Sequence, residues 1–306
     1  MKTDGISPVD APYRLSYPVN TVNWNGTCVE RLPRDRYEPQ FQLLRSVGVD
    51  AVMLTGYVTV EPADFDVDEE TKRVGELLGS LGMCAAQHHG LCATYAPPGE
   101  SQDEVVERLV RCARWTANLN SRVLVIHPGN VISHFTTIEE YDRAFHETAA
   151  KIGQVELMRL MARNIDAAAE EARAFGVAIA LENVHFFNED NTLLPALFAE
   201  VRSDNVGFCI DFGHAHYQGG GCGYWLDRLG DRVITTHIHD NRGKTDEHRP
   251  PGFGTIPWPD MIARLHALGY RGYANFESGP WDDPDPAEGY RHAIAYWRAC
   301  ERIARG

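Results

Sequence analysis

Short apolar runs alternate with longer amphipathic ones along the chain. The short runs read as strands: "RLSYPV" from Arg14, "AVMLTGY" from Ala51, "CAAQHH" from Cys84, "RVLVIHP" from Arg122, "VAIALENV" from Val177, "VGFCIDF" from Val206, "VITTHIH" from Val233 and "GYANFES" from Gly272. The segments between them carry apolar residues at helical spacing. "YEPQFQLLRSVG" stops at Gly48, and "DEETKRVGELLGSLG" opens on acids that suit a helix N-terminus and stops at Gly82. "DEVVERLVRCARWTANL" follows the same logic, the stretch 137–176 reads as two helices interrupted near "KIGQ", and "PWPDMIARLHALG" and "AEGYRHAIAYWRACERIA" are the last two. Eight strand–helix alternations predict a closed parallel (β/α)8 TIM barrel. The other arrangement, an open doubly wound sheet, lacks the GxGxxG turn expected after its first strand. No linker or compositional shift divides the chain, so residues 1–306 read as one domain, with 1–12 a short polar N-terminal arm.

Composition narrows the function. The net charge of −14 repels nucleic acid and anionic membrane on average. No apolar run approaches the roughly 20 residues that span a bilayer. Seven scattered cysteines without a CxxC pair, and no signal-peptide pattern, favour a reducing cytoplasm. Cys209 and Cys222 read as inert, and no GxSxG elbow is present.

In a parallel barrel the chemistry lies at the C-terminal ends of the strands, and polar residues collect there. The third strand ends in His88-His89, the fourth in His127, the fifth in Glu182 and the sixth in Asp211, which leads to His214. His237, His239 and Asp240 end the seventh, and Glu277 lies near the end of the eighth. Taken singly, each has an ordinary structural explanation, such as a hydrogen-bonded core histidine or a helix cap. Together, buried carboxylates without partners would cost several kcal/mol, and a divalent cation satisfies them at once.

The ordered set "LEN", "IDFGH", "HIHDN", "DEHRPPGFGTIPW" and the final Glu277 resembles the xylose isomerase-like barrel superfamily, which includes sugar and sugar-phosphate isomerases and epimerases, inosose-pathway enzymes and endonuclease IV. The resemblance covers essentially the whole chain and is most specific over 177–280. It implies a metal site of Glu182, Asp211, His239 and Glu277, with His237 one layer deeper. It also implies that Glu182 and Glu277 act as an acid/base pair on opposite faces of a substrate carbon, and that His214 contacts substrate. Such an oxygen-rich site suits Mn²⁺, Mg²⁺ or Co²⁺ as well as Zn²⁺. The implied activity is isomerisation or epimerisation of a small sugar, sugar phosphate or polyol ketone, by proton abstraction next to a metal-polarised carbonyl. An inosose-type dehydratase shares that first step. Members of the family are often dimers or tetramers, so a homo-oligomer is one implied state.

The "TDEH" stretch holds more than that site needs. Asp246 and His248 resemble the DxH pair of endonuclease IV, and His214, His127 and one of His88 or His89 resemble its other ligands. A multinuclear zinc set for phosphodiester hydrolysis is therefore the alternative. On the other reading, His89, His127, His214, Asp246 and His248 hold substrate. Trp24 offers a face for a sugar ring or a cap on the barrel. Arg242, with Lys244 and Arg249, offers charge for one phosphate or carboxylate, or simply solvated loop charges. Tyr224 and Trp225 could serve a mobile loop or an interface.

Overall fold

The computed structural model describes residues 11–24, 29–55, 65–90, 92–96, 101–129, 138–184, 191–218, 220–280 and 284–306. Strands β1 (Arg14–Asn20), β4 (Ala51–Thr55), β5 (Cys84–Gly90), β6 (Val123–Ile126), β7 (Ala178–Glu182), β8 (Val206–Asp211), β9 (Val233–His237) and β10 (Tyr273–Asn275) form one parallel sheet in the order β10-β1-β4-β5-β6-β7-β8-β9. A bridge from Ile238 to Phe276 joins the two ends: the Ile238 amide donates to the Asn275 carbonyl at 2.7 Å and the Glu277 amide to the Ile238 carbonyl at 2.9 Å. The result is the expected (β/α)8 barrel, with β2 (Val22–Trp24) and β3 (Val29–Arg31) added as an antiparallel pair after β1.

Among the described residues, seven helices form where the pattern places them, and three shorter ones, over 193–200, 212–217 and 221–229, stand where it marks none. They are α1 (Arg34–Ser46), α2 (Val67–Ser80), α3 (Gln102–Asn118), α4 (Ile138–Ile152), α5 (Gln154–Arg173), α6 (Leu193–Glu200), α7 (Phe212–Tyr217), α8 (Gly221–Leu229), α9 (Trp258–Ala267) and α10 (Pro286–Arg305). Helix α3 begins at a capping box in which Ser101 and Glu104 satisfy each other's backbone amides. The expected interruption near "KIGQ" is Gly153, whose φ of 88° separates α4 from α5.

All six residues of β8 are buried, as expected of a parallel strand covered on both faces. Outward side chains pack under the helices. Trp225 of α8 is wholly buried beside Phe208, which makes it core rather than part of a loop or an interface. Inside the barrel a small apolar cluster of Val125, Ala180 and Cys209 lies low. Above it the interior turns polar.

The loop after β9 is tied down by one carboxylate. Asp240 is fully buried, and its oxygens accept from the amides of Asn241 (2.9 Å), Gly252 (3.0 Å) and Ile256 (3.1 Å) and from Trp258 Nε1 (3.0 Å). A side chain at Gly254 would overlap both the Asn241 carbonyl and the Asp240 carboxylate, so only glycine fits there. Asp240→Ala strands three buried donors and one at the surface, Gly252, and is expected to lower stability by about 3–5 kcal/mol. Urea unfolding measures this; a loss below about 1 kcal/mol would contradict the role given to Asp240.

Candidate functional site

The strand ends deliver their polar residues to one place. Glu182, the last residue of β7 and 1% exposed, is the hub. One of its oxygens, Oε2, faces His89 Nε2 at 3.0 Å and His127 Nε2 at 3.4 Å. The other, Oε1, faces His214 Nδ1 and His237 Nδ1, each at 3.3 Å. Register places Asp211 directly opposite His237 across β8 and β9. His237 Nδ1 lies 3.6 Å from Asp211 Oδ2 and 3.3 Å from Glu277 Oε2. Ligand atoms of Glu182, Asp211, His237 and Glu277 thus fall within 4.8 Å of one another. His237 Nδ1 and Glu277 Oε2 are buried without a hydrogen-bond partner among the described residues. Unpartnered buried donor atoms aimed at one point fit a divalent cation.

A second cluster adjoins the first. His214, His239, Asp246 and His248 bring ligand atoms within 4.8 Å of one another. His214 Nδ1 donates to the Asn183 carbonyl at 2.9 Å and His248 Nδ1 to the Glu277 carbonyl at 2.9 Å. Both rings turn Nε2 to Asp246, at 3.3 and 3.1 Å respectively, where Nε2–H donates to the carboxylate; a cation between them would take the place of those protons. A backbone carbonyl behind the ring is the usual support for a metal-binding imidazole. His248 holds φ of 45°, a strained value for a non-glycine residue that keeps its ring stacked 4.0 Å from His239.

A family model for xylose isomerase-like TIM barrels matches residues 41–300. The chain belongs to that family. Fructoselysine 3-epimerase of Shigella flexneri is 28% identical over 144 residues, 45% of this chain and 52% of that protein. The 3-dehydro-D-guloside 4-epimerase of Escherichia coli is 31% identical over 130 residues, 41% of this chain and 47% of that one. The chain spans between 33% and 60% of the length of the curated relatives it matches. A solved L-ribulose 3-epimerase superposes with a TM-score of 0.67 at 18% identity, covering 94% of this chain and 95% of that one, a likeness of fold.

Family membership makes the departures from the sequence-based expectation specific. His237, not His239, joins Glu182, Asp211 and Glu277. Both histidines point into the barrel, but His239 lies beyond the strand end. From there its Nε2 donates to Asp211 at 3.0 Å while its Nδ1 faces the second cluster. Its ring fits only because residue 213 is glycine; any Cβ there would overlap it. The choice between the paired histidines of β5 resolves to His89, since His88 turns outward to Thr116 Oγ1 of α3 at 2.8 Å. Arg242 is exposed, and its amide donates to Glu247 Oε2 at 2.8 Å. Arg249 is paired with Glu247 at 2.6 Å, which removes it from the loop's free charge. The Trp24 side chain and residues 1–10 of the 1–12 arm lie outside the described residues. Sequence reasoning missed Gln87, which shares the inward face with His89 by simple alternation and lies 2.6 Å from His237.

The electrostatics suit a cation site. Burial pushes the Glu182 carboxyl up, but His237, His127 and His214 outweigh it and hold it well below the carboxylate range. Asp211 is held low in the same way by His214, His239 and His237, and Glu277 by His237 and His248. Burial lowers His237 and His214, yet the surrounding carboxylates raise both well above an ordinary imidazole. Against the same opposing burial, Asp246 and Glu277 raise His248 to about 9. His127 is lowered, by burial. Burial also pushes the Cys209 thiol up to about 12, which leaves it neutral and no nucleophile.

Proposed function

We propose that this protein is a divalent-metal-dependent epimerase or isomerase of a small polyhydroxylated carbonyl compound. The observation that carries the reading is the convergence of Glu182, Asp211, His237 and Glu277 within 4.8 Å at the C-terminal mouth of the barrel. The names of the epimerase relatives support it. These four residues would hold Mn²⁺, Mg²⁺, Co²⁺ or Zn²⁺. Bound there, the cation would polarise the substrate carbonyl and stabilise the negative charge that develops on its oxygen. Glu182 and Glu277 come from β7 and from the end of β10, and so approach a bound carbon from different strands. The carboxylate on one face removes the proton next to the carbonyl. The carboxyl on the other, having first taken a proton from solvent, returns it to the carbon and inverts the centre; the first then releases its proton to solvent, which restores the starting charge. His214 and His248, gathered with Asp246 beside the four, would line the substrate side of the site.

The test is hydrogen exchange. The Mn²⁺-loaded protein is incubated in D2O with free ketoses, ketose phosphates and keto-glycosides, and deuterium uptake next to the carbonyl is followed by NMR. Cation-dependent exchange on at least one of them is the expected result. Stoichiometric cation with no exchange on any of them, together with cleavage of bis(p-nitrophenyl) phosphate, would overturn the reading.

That second outcome has an observation of its own. The cluster at His214, Asp246 and His248, and the pair His89 and His127 across Glu182, extend the site in both directions. With the four, and with His237 in the place given to His239, these nine side chains resemble the ligand set of a multinuclear zinc hydrolase of the endonuclease IV type. Elemental analysis of protein purified without chelator separates the two: about one cation per chain fits the epimerase, and two or three zinc ions, reduced by Asp246→Ala/His248→Ala, fit the hydrolase.

A further inference from the structure

Beneath the carboxylates, the barrel interior carries a chain of uncharged polar side chains that ends on His237. Ser16 of β1, Asn275 of β10, Thr235 of β9 and Gln87 of β5 are all buried. Ser16 Oγ donates to Asn275 Oδ1, Asn275 Nδ2 donates to Thr235 Oγ1 at 3.0 Å, and Thr235 Oγ1 donates to Gln87 Oε1. The Gln87 amide nitrogen then meets His237 Nε2 at 2.6 Å and also touches Met53 Sδ at 2.9 Å. The contact is on the far side of the ring from the carboxylates, which face Nδ1.

Run in this direction, the chain makes His237 Nε2 an acceptor and places the ring proton on Nδ1. That is a neutral ring with Nδ1–H turned to Glu182 and Glu277. It is the wrong tautomer for a ligand, because Nδ1 cannot offer a lone pair while it carries the proton. A cation on Nδ1 requires the proton on Nε2, and Nε2–H then requires an acceptor. Gln87 supplies one by turning its amide over, so that Oε1 faces His237 and Nε2 faces Thr235. Thr235 then donates to Asn275, turned likewise, and Asn275 donates to Ser16. Each member is an amide or a hydroxyl and both donates and accepts, so the chain reverses with every link retained.

We propose that Gln87 is the positioning residue that sets the tautomer of His237, and that the Ser16–Asn275–Thr235–Gln87 chain reverses direction when a divalent cation takes Nδ1. The inference rests on the reading of this cluster as a cation site. It assigns Gln87 no contact with substrate.

The experiment uses the full chain, stripped with chelator and titrated with Mn²⁺ against a competing indicator dye. Gln87→Met keeps the length of the side chain and removes both hydrogen-bonding atoms. It is expected to weaken Mn²⁺ binding about 10–100-fold. Gln87→Glu offers His237 a permanent acceptor and is expected to restore affinity to within a few-fold of wild type. A purely packing role gives the opposite order, with the apolar variant unchanged and the buried carboxylate the damaging one. Wild type that binds no divalent cation overturns the cation-site reading itself, and this inference with it. Wild type that binds while Gln87→Met binds equally well overturns only the role of Gln87. A measurement on wild type needs no variant to fold: with ¹⁵N-labelled histidine and Zn²⁺ bound, His237 is expected to carry its proton on Nε2 and none on Nδ1. A ring protonated on Nδ1 in the loaded protein overturns the proposal.

Discussion

Glu182→Gln is expected to abolish tight cation binding and turnover together. The substitution keeps the shape of the side chain and removes one negative charge at the point where four imidazoles meet: His89 and His127 on one oxygen, His214 and His237 on the other. An amide nitrogen cannot accept from two ring N–H groups, so one side of the hub is left unsatisfied. Loss of the proton-transferring group accounts for about 10²–10⁴ in rate, and loss of the cation adds to it. The cation-free variant is also expected to lose about 3–5 kcal/mol near pH 6, because buried imidazolium groups lose their shared counter-charge. Elemental analysis, deuterium exchange and urea unfolding read the three effects separately. Full retention of cation and exchange by Glu182→Gln would place the reaction elsewhere in the molecule.

Stripped of cations, the protein is expected to be most stable at mildly acidic pH and to weaken as the solution becomes alkaline. His214, His237 and His248 have raised values in the folded protein, so their contribution is complete below their unfolded value near 6.5. It is lost as pH rises through the folded values, about 9 for His248. Glu182, Asp211, Asp246 and Glu277 are depressed, so their contribution is present above the ordinary carboxylate range and lost as pH falls through their folded values. His127, lowered by burial, runs against the other three histidines and destabilises as pH falls below about 6.5. A divalent cation reverses the alkaline trend, since it replaces the protons on the imidazoles it takes. The gain in melting temperature on adding Mn²⁺ should therefore grow between pH 6.5 and pH 9, reaching on the order of 5–10 °C at a thousand-fold excess over Kd. Calorimetry with and without Mn²⁺ across that range is the check. A gain independent of pH would mean that histidines take no part in binding.

The strand–helix alternation, the stops at Gly48 and Gly82 and the break at Gly153 were legible because they depend on local chemistry: apolar periodicity and the backbone freedom of glycine. The collection of carboxylates and imidazoles at the strand ends was legible for the same reason, since each ends an apolar run. Height along the barrel axis was not legible. Period two places Thr235, His237 and His239 on one face, yet it does not say which of them stands level with Glu182. That is set by the register of β9 against β8, where Asp211 pairs with His237 and an irregularity at Phe208/Cys209 shifts the strand. Resemblance grouped Asp246 and His248 with His214, but no local pattern shows how the loop returns over it. That return depends on Asp240 gathering backbone amides from across the loop. The sequence by itself therefore determined the barrel and the chemical character of its mouth. The tertiary structure decided which side chains share a point in space, because hydrogen-bond register and loop closure are relations between segments and leave no periodic trace in any one of them.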